Sequence, residues 1–225
     1  MKPAPLHVIW WLVSRASGVI ALILISLSVI MGLAMAAKVL RRPALKRAVV
    51  RLHEHVALIA LAAIAIHGAA LLGDTWLKPG LRGITVPFAL SYRPAFTGAG
   101  IIAGYLAVLV GPSFYVRRRI GAKRWRALHR ATALVWVLAV VHTLGSGSDA
   151  ASVWLRAVVL VPAVPIVYLL VLRGLSPRRA ARSDGASRRG ERVPALAHVP
   201  HEARRPRHDE QRRGRLQHQP VRDAT

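Results

Sequence analysis

Two stretches decide the reading: L-H-E-H-V-A-L-I-A-L-A-A-I-A-I-H at 52–67 and R-A-L-H-R-A-T-A-L-V-W-V-L-A-V-V-H at 126–142. Each is an apolar run carrying a histidine close to either end. His53 and His67 are 14 residues apart, and His129 and His142 are 13 apart. An ionisable side chain within a membrane span is expensive to keep, so it defaults to a functional role with a partner. One such histidine is more often a hydrogen-bonded packing residue. Four, at matched depths on two helices that run the same way, point to a ligand set.

The composition around them is that of a membrane protein. The chain has 225 residues, 54% of them apolar, and a formal net charge of +24. Residues 1–175 hold 20 Lys and Arg but only three acids, Glu54, Asp74 and Asp149, too few polar groups to cover a soluble surface. Five apolar stretches approach the ~20 residues that cross a bilayer. They lie near 9–36, 53–72, 96–116, 128–145 and 153–173. The fold class expected is therefore all-α, a polytopic bundle of about five transmembrane helices. The first stretch ends in Ala34-Met35-Ala36, which resembles a signal-peptide cleavage site. Its apolar run is too long and its leading segment too weakly charged for that, so it reads as a retained helix.

The cations sit in short segments beside the spans, where topology and lipid headgroups account for them better than nucleic acid does; no nucleic-acid partner is expected. Six follow the first span (Lys38 to Arg51) and seven follow the third (Arg117 to Arg130), against sparse charge on the opposite side. This asymmetry puts the N-terminus outside and the C-terminus in the cytoplasm. Residues 176–225 scatter Pro, Gly and Arg without period and read as a disordered basic cytoplasmic tail. The tail histidines show no trusted metal-ligand spacing.

The cysteine count is zero, which excludes disulfides, thiolate metal sites, iron–sulfur clusters and covalently attached c-type haem. Imidazole remains, and it is a good axial ligand for iron. Fourteen helical residues rise about 21 Å within a ~30 Å hydrocarbon core, which leaves room for two stacked b haems, one per leaflet. The two spacings are not equally suited to this. Fourteen residues return to within about 40° of the same helix face, whereas 13 fall about 140° short. A bend or local irregularity in the fourth span has to absorb the difference, or the haems approach that span from different sides. His55, 12 residues from His67, rivals His53, although it lies about 120° round the helix.

With S-R-A-S-G-V-I-A at 14–21, W-R-A-L-H-R at 125–130 and H-T-L-G-S-G-S-D at 142–149, this pattern resembles the ferric reductase-like transmembrane domain. That superfamily includes ferric reductases, NADPH oxidases and the haem-binding subunit of a bacterial methionine sulfoxide reductase system. The resemblance covers about residues 8–175 and looks like that of a short bacterial member. It implies a plasma-membrane protein in which His53 pairs with His129 at an inner b haem and His67 with His142 at an outer one. The expected function is transmembrane electron transfer, from a cytoplasmic flavoprotein or membrane quinol to an extracytoplasmic acceptor or partner redox protein. Full-length relatives carry a flavin and nicotinamide domain after the last helix. Here no G-x-G-x-x-G and no strand–helix alternation follows, so any flavin belongs to a separate partner.

Two further residues are candidates at the cofactor. Arg15, within the outer part of the first span, is suited to a haem propionate, with snorkelling to headgroups as the alternative. Trp136, midway between His129 and His142, is suited to a position between the haems, with plain packing as the alternative. Gly98, Gly100 and Gly104 allow close helix approach. The external loop 73–95 offers Lys78, Arg82, Tyr92 and Arg93 to an anionic chelate or a docking partner, although a solvated loop is the simpler reading. Two other functions stay open: a quinol-fed haem subunit serving an extracytoplasmic repair reductase, and a metal-ion permease using the membrane histidines. The latter usually adds buried acids or cysteines.

Overall fold

The structure is a computed structural model that describes the backbone of residues 5–190 and the side chains of 8–174. Among the described residues every regular element is helical. In chain order these are α1 (Pro5–Ala36), α2 (Pro43–Ala70), α3 (Gly80–Thr85), α4 (Pro94–Val110), α5 (Arg117–Ile120), α6 (Ala122–His129), α7 (Thr132–Ser146) and α8 (Val153–Gly190). Five helical segments are long and apolar enough to cross a membrane: Val8–Ala36, Pro43–Gly73, Pro94–Phe114, Ala122–Ser146 and Val153–Gly174. The chain is a multi-pass membrane protein of all-α class, as the sequence predicts.

Two of these segments start earlier than the hydropathy pattern alone indicates. α2 begins at Pro43, where proline occupies the first helical turn. There its missing N–H costs nothing and its fixed φ favours the helix. Ala44, Leu45, Lys46 and Arg47 follow, all good helix formers, so the helix carries its cationic turns beyond the apolar run. The fourth crossing likewise starts at Ala122 and is built from α6 and α7 with a break between them. α4 stops at Val110, ahead of Gly111-Pro112 and a 3₁₀ turn at Pro112–Phe114. In contrast, α8 runs through Pro162 and Pro165 without interruption.

α1 and α2 pack as one antiparallel hairpin and α4 and α7 as another, while α1 also touches α7. α8 lies against α1 through a seam of Val29 and Leu33 with Ile166 and Leu169. On α8 the buried positions Leu155, Val159, Ile166 and Leu169 recur at helical spacing, whereas Val161 and Val164 are more than 70% exposed and face lipid. The α8 backbone continues past 175 to Gly190; residues 191–225, the rest of the expected tail, lie outside the described residues.

The tightest part of the α1–α8 seam is Ile166, which is 1% exposed. Replacing a fully buried Ile by Ala leaves a cavity that neighbouring helices fill only in part, at a cost of about 2–5 kcal/mol. We predict a lower unfolding temperature for Ile166→Ala in detergent and no change for the lipid-facing Val164→Ala.

Candidate functional site

The four membrane histidines meet in two pairs. The His53 and His129 rings have centroids 6.1 Å apart with planes at 81°, and the His67 and His142 rings are 6.1 Å apart at 75°. The helices bearing them, α2 on one side and α6–α7 on the other, pack mainly on α1 and α4. Imidazoles therefore reach across a gap from opposite sides at two heights. His55 takes no part. Its exposed ring bonds through Nδ1 to the Arg51 carbonyl of its own helix at 2.8 Å.

Equal pairing at both heights requires that 13 residues on one side span as far as 14 on the other. The break in the fourth crossing provides this. Arg130 N–H bonds to Ala127 O, Ala131 to Leu128 O and Ala133 to Arg130 O, all i→i−3, before Val135 resumes i→i−4 bonding to Ala131 O. A 3₁₀ residue turns about 120° and rises about 2.0 Å, against about 100° and 1.5 Å in an α-helix. Three or four such residues recover about 60–80° of the missing rotation and add about 1.5–2 Å of length. Thirteen residues then rise about 21 Å, matching 14 on the uninterrupted α2. The irregularity the spacing calls for thus lies directly after His129.

Three of the four rings are held at Nδ1 by a neighbouring helix. His67 Nδ1 donates to the Ser14 carbonyl at 2.7 Å, with the Ser14 hydroxyl 3.2 Å away. His142 Nδ1 donates to the Phe96 carbonyl at 3.0 Å, and His53 Nδ1 lies 3.2 Å from Ser28 Oγ. Metal-binding histidines characteristically use one ring nitrogen this way, which leaves the other as the ligand. His129 differs: its buried Nδ1 has no hydrogen-bond partner, and its ring stacks on Trp125 at 5.1 Å and 23°.

The separation within each pair tests what fits between the rings. A metal–imidazole bond is about 2 Å and a ring nitrogen lies about 1.1 Å from its centroid, so two imidazoles on one metal place their centroids roughly 6.3 Å apart. A direct N–H···N hydrogen bond would bring them to about 5 Å. The observed 6.1 Å fits a bridging metal. Among the described residues no group of three or more His, Asp or Glu side chains converges on one point. Two imidazoles alone are a sparse donor set for a bare ion, which usually takes about four protein ligands. They suit a haem iron, whose macrocycle fills the other positions.

Arg15 Nε is ion-paired with Asp149 at 2.6 Å, and its guanidinium lies against the Trp11 and Trp154 rings at 4.9 and 5.9 Å. Trp136 donates from Nε1 to Ser26 Oγ at 2.9 Å and packs against the α1–α8 seam. Arg93, at φ 42°, bonds to the Gly145 carbonyl, and Tyr92 meets Trp76 edge-on at 5.6 Å. Arg93 thus ties the loop to the end of α7, three residues past His142. At the cationic end Tyr115 donates to Glu54 at 2.8 Å, and this carboxylate pushes the tyrosine pKa above its ordinary value. Ser14, Ser28, the Phe96 carbonyl and Asp149 are contributors that the sequence reading does not single out.

The chain is thus a helical membrane bundle that brings four imidazoles together in pairs at two depths. Residues 17–140 match the ferric reductase like transmembrane component family, and the chain belongs to that family. No curated protein and no solved structure matches it.

The 3₁₀ break makes a specific prediction. Inserting one alanine between Ala131 and Thr132 turns α7 by about 100° and lifts it by about 1.5 Å relative to His129. The insertion variant is expected to lose the histidine pairing and, if the pairs hold haem, at least one haem per chain by haem extraction, while circular dichroism shows its helix content retained.

Proposed function

We propose that the chain transfers electrons across the membrane through two b-type haems, each held by a histidine pair. The observation that carries this reading is the equal 6.1 Å separation of both pairs, with the second ring nitrogen engaged elsewhere in three of four histidines. His53 and His129 would hold the inner haem, and His67 and His142 the outer one. A bound haem supplies reversible one-electron chemistry at iron.

The chain's own residues supply ligation, orientation and a dry environment. α2, with His53 and His67 about 21 Å apart along its axis, sets the distance between the two levels. The carbonyls of Ser14 and Phe96 fix the Nδ1 protons of the outer pair and so leave Nε2 as the ligand. Arg15, next to Ser14 in the chain, keeps N–H donors beyond the one on Asp149 and is assigned to an outer propionate. Trp136 lies midway in sequence between the α6–α7 ligands and is assigned to the region between the haems.

Under the positive-inside rule, the cation-rich segments around Lys38–Arg51 and Arg117–Arg130 face the cytoplasm. The N-terminus then lies outside and the C-terminus inside, in the plasma membrane of a bacterium. Electrons enter at the inner level from a separate flavoprotein or from membrane quinol, and leave at the outer level to an extracytoplasmic acceptor or partner redox protein.

The test is a reduced-minus-oxidised absorption spectrum of the purified full-length chain with haem quantified per chain. Two b haems are expected, falling to about one in His67→Ala and about one in His129→Ala. A wild-type chain that takes up no haem when haem is supplied during expression would contradict the proposal.

A further inference from the structure

The element that seats the α2 histidines is repeated. α1 contains Ser-x-x-x-Gly twice, at Ser14–Gly18 and Ser28–Gly32, and the two copies start 14 residues apart. That is the interval from His53 to His67 on the antiparallel neighbour α2. Because the helices run in opposite directions the order reverses, so that the first copy meets His67 and the second meets His53.

In each copy the serine meets Nδ1 of its histidine, and the glycine one turn later leaves space for the ring. A Cβ on Gly18 would lie 2.9 Å from His67 Nδ1, closer than atoms of this kind approach, whereas one on Gly32 would lie 3.6 Å from His53 Cε1, an ordinary contact. α4 offers a related arrangement to His142: Phe96 supplies the carbonyl, and a Cβ on Gly100, four residues on, would collide with the ring. Among the described residues His129 has neither a partner at Nδ1 nor a glycine against it.

We infer that α1 is a duplicated positioning element: Ser14/Gly18 and Ser28/Gly32 orient His67 and His53, holding Nδ1 on α1 so that Nε2 faces the partner imidazole across the gap. This rests on the haem-binding reading above. It divides the two levels. At the outer level both imidazoles are oriented by a neighbouring helix. At the inner level only His53 is, so among the described residues Ser28 is the only hydrogen-bond partner of that pair's rings. Such a hydrogen bond raises the basicity of a ligating imidazole and favours the oxidised metal. Its removal should therefore raise the potential of the inner haem alone.

The experiment uses the haem-loaded full chain and reads haem per chain together with the midpoint potential of each haem. Gly18→Ala is expected to lose about one of two haems, and Gly32→Ala to keep both. Ser28→Ala should shift one midpoint upward and leave the other in place, with Ser28→Thr restoring it. If Gly18→Ala and Gly32→Ala behave alike, the close seat is overturned. If Ser28→Ala moves neither potential, or moves both equally, its positioning role is overturned. If Ser28→Ala protein aggregates, Ser28→Cys, whose thiol is only a weak hydrogen-bond acceptor, carries the same test at the same midpoint. Wild-type protein with two haems and unresponsive variants defeats this inference alone, whereas wild-type protein without haem defeats the proposed function and this inference with it.

Discussion

Everything in this bundle follows from one requirement: imidazoles from helices that pack mainly on other helices must meet, at one separation, at two depths. The separation of 6.1 Å is longer than a hydrogen bond between rings allows, and the rings themselves supply no more than a weak edge-on contact. It is held from behind. α1 supports the α2 histidines, α4 supports His142, and the apolar α1–α8 seam fixes where α1 lies. In hydrocarbon there is no water to take up an unpaired ring N–H, so for three of the four histidines a carbonyl or hydroxyl of a neighbouring helix fills that role.

The same requirement explains the least regular part of the backbone. A straight helix with ligands 13 residues apart would present them on different faces and too close together to match α2. The three i→i−3 bonds after His129 correct angle and rise together. Irregularity within a membrane helix leaves backbone groups to be satisfied locally, and here the tighter 3₁₀ bonding does so. The break is thus a consequence of which residues must face the gap.

Much of this was legible in the residues. Hydropathy marks the five spans, and the scarcity of acids marks the membrane class. The spacing of His53, His67, His129 and His142 marks the site and even the need for a distortion in the fourth crossing. What was not legible has physical reasons. The location of the break depends on hydrogen bonds around Arg130 and Ala131, where no proline or glycine announces it. Asp149 as the partner of Arg15 is a contact between distant parts of the chain, set by how α1 and the segment before α8 come together. Ser14 and Ser28 look like ordinary small residues on a membrane helix until the histidines opposite them are placed. The early start of α2 at Pro43 is a case where helix propensity and an N-terminal proline outweigh hydropathy.

The central question is whether each histidine pair holds one iron with its rings in the orientation seen here. Low-temperature electron paramagnetic resonance of the oxidised, haem-loaded chain measures this directly. Ring planes at 81° and 75° are close to perpendicular, so the account predicts two low-spin ferric signals, both strongly anisotropic. A high-spin signal, or low-spin intensity accounting for only one haem per chain, would contradict paired imidazole ligation at both levels.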